Sequence, residues 1–477
     1  MIGEETVPAH PAFGNAVSRS NGGGPVTVHD PSVLKGPAMD TLVRDAVFAT
    51  GDARDQARWL IWELGQAVGV RPSSIHDLYL ARGRGETGGF TVPAMNVRGM
   101  AYDTARAIFR VANKVDAGAF ILEIARSEIA YTDQRPAEYV AVMLAAAMRE
   151  GFHGPVFIQG DHFQVNAKKY AADRDPEVNA VKQLAREAID AGFYNIDVDT
   201  STLVDLSRPN HKEQQRRNYE ECVDMTQFVR SLEPRGVTIS VGGEIGEVGT
   251  SNSTVEELEA FMEGYNGTLR AKAGAMEGLS KISVQSGTSH GGVVLADGSI
   301  ADVKLDLKTL ELLSRVAREK YGLSGAVQHG ASTLPDEAFN NFPKTETAEI
   351  HLATNFQNML YDAMPASLRG DIYAWLGENA KDERKATDSD EQFFYKTRKK
   401  ALGPFKRQLW DLDAGTRERL AKAYDEKFTF LFTQLGVPGT KDAVRRHVKP
   451  MAIHRPAPGT AGHVVVEAAP DDAELSD

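Results

Sequence analysis

From about residue 90 the chain repeats one texture: a short apolar run bounded by Gly or polar residues, then a stretch long enough for a helix. This alternation constrains the fold more than any other feature. The runs are FTVPAMNV (90–97), AFILEI (119–124), PVFIQGDH (155–162), YNIDVDT (194–200), VTISVGGE (237–244), ISVQSG (282–287), GAVQHG (325–330) and AEIHLAT (348–354). Between most of them lie helical segments such as AYDTARAIFRVANK and EVNAVKQLAREAIDAG. Alternating strand and helix units imply a parallel sheet. Eight units predict a closed (β/α)8 TIM barrel over 85–360. An open doubly wound sheet is the structural alternative, but no GxGxxG follows the first run, so a dinucleotide-binding reading has no support.

The flanks read differently. Residues 1–36 are rich in Gly, Pro, Ser and Asn and are expected to form a disordered arm. Residues 37–84 carry helical patterning (QARWLIWELGQAVGV) and predict an N-terminal helical extension. Residues 361–450, with ERLAKAYDEKFTFLFTQLG, predict a C-terminal helical extension, and 451–477 a flexible tail.

Composition narrows the partners. A net charge of -12 argues against nucleic acid as the main partner, without touching a local site for a phosphorylated small molecule. No run of about 18 apolar residues is present, so no membrane span is expected. The first residues, MIGEETVPAH, lack the basic and apolar regions of a secretory signal. The single cysteine, Cys222, permits no internal disulfide, which suits a reducing cytoplasm.

In a barrel of this kind the active site lies at the C-terminal ends of the strands. The polar residues ending the runs are therefore the candidates. Run three ends in Asp161-His162, run four in Asp197 and Asp199, and run five in Glu244. Run six is followed by Gly287-Thr288-Ser289-His290-Gly291, and run seven ends in His329-Gly330-Ala331-Ser332. Any one of these histidines alone reads as an ordinary strand end. Three imidazoles from separate strands can instead form an open metal site with one position left for substrate, suited to Zn2+ or another divalent transition metal. Asp161 precedes a candidate ligand. Neighbouring strand residues face opposite ways, so bending at the rim is needed to bring Asp161 and His162 to one site. There Asp161 could move a proton or orient His162. Glycines beside His290 and His329 allow close backbone approach to a ligand, and Ser332 adds a hydroxyl.

These residues resemble a known family. GDH at 160–162, GTSHGG at 287–292 and QHGAST at 328–333 are similar in order and spacing to the three metal motifs of class II fructose-bisphosphate and tagatose-bisphosphate aldolases. The first run, ending in Asn96, looks like the family's opening strand. Asp199 and Ser201 match its Asp-x-Ser segment, and Glu244 the inner carboxylate of its Glu-x-Glu-Leu-Gly strand. The resemblance implies His162, His290 and His329 as zinc ligands and Asp161 as the proton-transfer group. Asn96, Gly291, Gly330, Ser332 and Thr354 would bind substrate and its phosphate. Asp199, Ser201, Glu244 and His351 would be auxiliary. It further implies reversible aldol cleavage of a phosphorylated ketose in carbohydrate metabolism such as glycolysis. Tyr395-Lys396-Thr397-Arg398 resembles a segment whose Arg reaches the distal phosphate from a neighbouring subunit, which would require a homodimer or larger homo-oligomer.

The pattern departs at three places. The family's eighth strand offers Asn-x-Asp-Thr, and here the segment reads His351-Leu352-Ala353-Thr354. The second strand reads Glu123-Ile124-Ala125-Arg126 where the family has Gln-x-Ser, and Arg126 could replace the lost hydroxyl with a charge. The loop after Glu244 has no clear equivalent of the family's mobile acid; Glu247, Glu256 and Glu257 are nearest. A lyase of the same mechanism on a different phosphorylated sugar, a hydrolase or epimerase on the same barrel, and a non-catalytic metal-binding barrel are the competing readings.

Overall fold

The computed structural model describes residues 6–20, 26–246, 251–287, 295 and 305–459. Eight strands, one in each apolar run, form its centre. They are Val92–Asn96 (β1), Ile121–Ala125 (β2), Gly154–Gln164 (β3), Asn195–Asp199 (β4), Ser240–Glu244 (β5), Lys281–Val284 (β6), Ala326–Gln328 (β7) and Glu349–Leu352 (β8). Each pairs in parallel with the next, and β8 pairs with β1 through Glu349–Val92 to Leu352–Met95, which closes the barrel. A parallel pair needs a crossover, and helices supply most of them. In Arg174–Ala191, between β3 and β4, the Asp173 side chain caps the first turn and Gly192 at φ 114° ends the helix. Its buried residues Val178, Val181, Leu184, Ala185, Ala188 and Ile189 recur every three to four positions and face the sheet.

One irregularity matters for the site. Between Gly160 and Phe163 the register of β3 against β4 slips, so Asp161 and His162 together stand opposite Asp197 alone. His162 takes φ 41° there, in the left-handed region. This is a β-bulge, and it supplies the bend that lets two consecutive residues serve one site. Glycine at 160 is needed because a Cβ there would lie 2.5 Å from the Phe163 ring.

The lower end of the barrel is plugged. Strand Val70–Ser73 pairs in parallel with the start of β3, and helix His76–Gly83 follows it. Ile75, Leu78 and Tyr79 pack with Val92, Ala94, Ile121 and Phe157 in a small core separate from the main one. Asn195 fastens the plug: its Oδ1 accepts from Ile75 N at 2.9 Å and its Nδ2 donates to Ser73 O at 3.2 Å. The C-terminal extension contributes too, through helix Lys441–His447, whose Val444 joins the same small core.

The two flanking segments differ from expectation. Within 1–36, expected as a disordered arm, the described residues form three antiparallel strands (Thr6–Pro8, Val17–Ser20, Val26–Val28) and two 3-10 turns. Phe13, Val17, Val26 and Leu34 are buried against the main core, and that burial offsets the cost of ordering a Gly-rich segment. Within 451–477, residues 451–459 dock on helix Gly51–Val68. Trp62 Nε1 donates to Ile453 O at 2.6 Å, Trp59 Nε1 to Arg455 O at 3.0 Å, and the Arg455 guanidinium lies over the Trp62 ring.

Candidate functional site

The bulge and the closed barrel bring the predicted residues together. Ligand atoms of Asp161, His162 and His329 lie within 4.8 Å of one another, and the His162 and His329 rings are 4.2 Å apart. All three side chains are buried. His290 and Gly291 lie outside the described residues. Each histidine is oriented from behind. His162 Nδ1 is 3.0 Å from Asp199 Oδ2 and 3.5 Å from Glu244 Oε2, so Nε2 is the nitrogen turned toward Asp161. Asp199 is fixed in turn by Ser201, whose N and Oγ donate to Oδ1, and by Gln164 Nε2 at 2.7 Å. His329 Nε2 meets Ser283 Oγ at 3.0 Å. Carboxylates and hydroxyls that hold imidazoles in this way set ring orientation and ligand basicity at metal centres. The donor set fits a divalent transition ion, because imidazole nitrogens and one carboxylate suit such ions better than Mg2+.

Asp161 is the best-supported side chain of the group. Its Oδ2 accepts from Asn96 Nδ2 at 3.0 Å, and its Oδ1 is 3.1 Å from His351 Nδ1. Asn96 is itself held by Glu128 Oε2 at 2.7 Å. Burial alone would raise the Asp161 carboxyl, but His162 and His351 facing it hold it well below the usual carboxylate range. Burial likewise pulls His162 down, and Asp161, Asp199 and Glu244 overcome this and raise it well above an ordinary histidine. A proton therefore competes for the place a metal would take.

His351 occupies a central position. Its ring lies 4.0 Å from that of His329, so His162, His329 and His351 form a row. Gly330 adopts φ 68° and starts the turn Ala331–Thr333. Ser332 Oγ accepts from the backbone N–H of Ala353, which brings Ser332 beside Thr354 at the start of helix Thr354–Ala363. Helix starts with close backbone amides suit phosphate.

Two expected residues sit elsewhere. Arg398 packs within its own chain between the Tyr361 and Tyr395 rings and donates to Asn358 Oδ1, and no described contact joins it to the histidines. Arg126 donates to Gln164 O and to Glu177 Oε1 at 2.7 Å, so its charge is already neutralised. Of the loop acids, Glu247 lies outside the described residues, and Glu257 caps its own helix through Thr254.

Two members of the site were not singled out from the sequence. Glu123 and Lys281 project into the barrel below the histidines, beside the strand-end candidate Asp197. Lys281 Nζ donates to Gln159 Oε1 at 2.7 Å, Asp197 Oδ2 at 3.0 Å and Glu349 Oε1 at 2.6 Å. Tyr79, from the plug, donates to Glu349 Oε2. The available signal was a charged residue inside an apolar run, as in FILEI and KISV, since such residues are almost never fully buried unless paired.

The comparisons with known proteins follow the same lines. The family described as fructose-bisphosphate aldolase class-II matches residues 83–408. No curated protein matches the chain. Among solved structures, the YdjI aldolase of Escherichia coli K12 aligns with a TM-score of 0.47 at 14% identity, covering 77% of this chain and 98% of its own. A fructose-bisphosphate aldolase of Campylobacter jejuni aligns at 0.45 and 16% identity, covering 78% and 98%. A fructuronate-tagaturonate epimerase of Cohnella laeviribosi aligns at 0.56 and 12% identity, covering 88% and 94%.

Proposed function

The chain belongs to the family of class II fructose-bisphosphate aldolases, and on that premise we propose that it cleaves and forms the C–C bond of a phosphorylated ketose in a metal-dependent reaction. The observation that carries the proposal is the convergence of Asp161, His162 and His329 at one end of a closed barrel, each fixed by a neighbour. His162 and His329, with His290 as the sequence resemblance implies, would hold a divalent ion such as Zn2+, which would supply Lewis acidity at the ketose carbonyl and a template for the substrate.

The remaining work falls to the chain's own groups. Asp161 starts as a carboxylate, because His162 and His351 face it. In the cleavage direction it takes the proton of the hydroxyl that becomes the aldehyde oxygen, and in synthesis it returns that proton. Asn96 and His351 hold it from two sides, so the proton moves along a fixed line. Gly330, Ser332 and Thr354 bind a phosphate through backbone amides and hydroxyls. Arg398 takes part at the distal group only through a neighbouring subunit, so light scattering of the purified protein bears directly on that role.

The eighth strand favours one second reading. His351 and Ala353 stand where the family offers Asn and Asp, which suits a sugar other than fructose 1,6-bisphosphate, with an epimerisation as one form of the chemistry. The experiment is to strip the enzyme with EDTA, reload it with Zn2+, and offer fructose 1,6-bisphosphate in a coupled triose phosphate assay. Metal-dependent release of triose phosphate supports cleavage. Rearranged sugar with no smaller fragments, seen by NMR across a panel of ketoses, would replace cleavage with epimerisation.

A further inference from the structure

Below the His162–His329 pair, β2, β3, β4 and β8 each turn one side chain inward: Glu123, Asp161, Asp197 and His351. One ligand atom from each lies within 4.8 Å of the others, and all four residues are buried. In each, one polar atom is tied to the scaffold. Glu123 Oε2 accepts from Gln159 Nε2 at 2.7 Å, Asp161 Oδ2 from Asn96 at 3.0 Å and Asp197 Oδ2 from Lys281 at 3.0 Å, while His351 Nε2 meets Glu349 Oε1 at 2.7 Å. In Glu123, Asp161 and His351 the other atom faces a shared space, and Asp197 Oδ2 stands 3.7 Å from His351 Nε2. Among the described residues, Glu123 Oε1, Asp161 Oδ1, Asp197 Oδ1 and His351 Nδ1 have no hydrogen-bond partner. Asp197 Oδ1 lies 2.9 Å from the Lys281 ammonium as an ion pair only.

The spacing is informative. His351 Nδ1 is 3.1 Å from both Glu123 Oε1 and Asp161 Oδ1, aligned with neither as a hydrogen bond. Two groups that share one divalent ion at about 2.1 Å stand about 3.0–3.4 Å apart. Charge points the same way. Four carboxyl groups, Glu123, Asp161, Asp197 and Glu349, face one ammonium and one imidazole. Buried charge of one sign calls for a counter-ion. Glu123 and His351 are also two of the departures from the family pattern, which has Gln and Asn there. The structure puts these two replacements in contact, and each exchanges an amide for a group that binds metals.

We propose that Glu123, Asp161, Asp197 and His351 form a second divalent cation site beneath the one at His162 and His329, with Asp161 lying between the two. Three carboxylates and one imidazole select an ion of the Mn2+ or Zn2+ class. The site does not depend on which bond the enzyme breaks.

The test counts ions. Protein stripped with EDTA and reloaded with Mn2+ is desalted and measured by elemental analysis and by electron paramagnetic resonance. Wild type should hold two ions per chain and show the spectrum of a coupled pair. The double variant Glu123→Gln/His351→Asn, which restores the family's amides, should hold one and show an isolated ion. His162→Ala/His329→Ala should also hold one. If the double variant fails to keep its melting transition, the single Glu123→Gln, which preserves hydrogen bonding, must itself lose one ion. One ion per wild-type chain at saturating Mn2+, or two in the amide variants, overturns the inference. Two ions in a protein that cleaves no ketose would sink the proposed reaction and leave this site standing.

Discussion

The two ends of the barrel are built from the same residue types and settled in opposite ways. At the plugged end, Lys281, Gln159, Glu349 and Tyr79 satisfy one another bond for bond, and Asn195 bonds the backbone of Ile75, Ser73 and Ile158. At the rim, Glu123 Oε1, Asp161 Oδ1 and His351 Nδ1 are buried without hydrogen bonds among the described residues. A buried polar network that is complete rigidifies a core, whereas one left incomplete costs stability. The comparison teaches where stability ends and chemistry begins: the same carboxylates stabilise below and wait for a ligand above. Substitutions at the two ends should therefore separate folding from turnover.

The largest effect belongs to the rim. His162→Ala or His329→Ala should remove the ion at the histidines and lower activity with it by on the order of 10^3–10^4-fold, since loss of Lewis acidity forfeits several kcal/mol at the transition state. Elemental analysis and initial rates check this, and the melting temperature without metal should hold. Asp161→Asn should keep an ion at the histidines yet lower kcat by about 10^2–10^4-fold. Full activity in that variant would remove Asp161 from the proton-transfer role.

The plugged end should answer in stability. Lys281→Met leaves Glu349 and Asp197 buried without their ammonium, and breaking such a pair costs about 3–5 kcal/mol. Burial would raise the Glu349 carboxyl, but the Lys281 ammonium and His351 bring it down to about 2, so in Lys281→Met it loses the principal group that offsets its burial. Urea denaturation of Lys281→Met against wild type is the measurement. A variant that unfolds no more easily would break the contrast between the two ends.

This division was partly legible in the sequence. All eight strands were, because each run is short, apolar and bounded, and burial on both faces leaves no polar alternation to confuse the reading. The strand-end histidines and Asp161 followed from strand ends alone. The requirement for a bend at Asp161-His162 was legible, but not the bulge that supplies it, since a register slip depends on how β4 lies alongside. Lys281 and Glu123 escaped because their partners are distant in sequence: Lys281 meets Glu349 68 positions away and Gln159 122 positions away. The docking of residues 451–459 escaped for another reason. Trp59 and Trp62 bind backbone carbonyls there, and any residue could supply those.

The smallest effect sharpens the contrast through one residue type. His76, at the start of the plug helix, is lowered to about 4 by burial and then by Arg230. Its folded value lies below the unfolded value of about 6.5, so the folded state prefers it neutral. That contribution is present above pH 6.5 and is lost as pH falls toward 4, by at most about 3 kcal/mol. His351 at the rim has the opposite sign. Burial lowers it, but Glu123 and Asp161 raise it well above 6.5, so in metal-free protein its contribution is present at low pH and fades as pH rises through its folded value. Urea midpoints of metal-free wild type, His76→Gln and His351→Asn across pH 4–8 separate the two. Wild type should lose more stability than His76→Gln between pH 6.5 and 4, while its margin over His351→Asn should be greatest at the acid end. Equal slopes in all three proteins would mean that the two ends hold their histidines alike, and the contrast would fail.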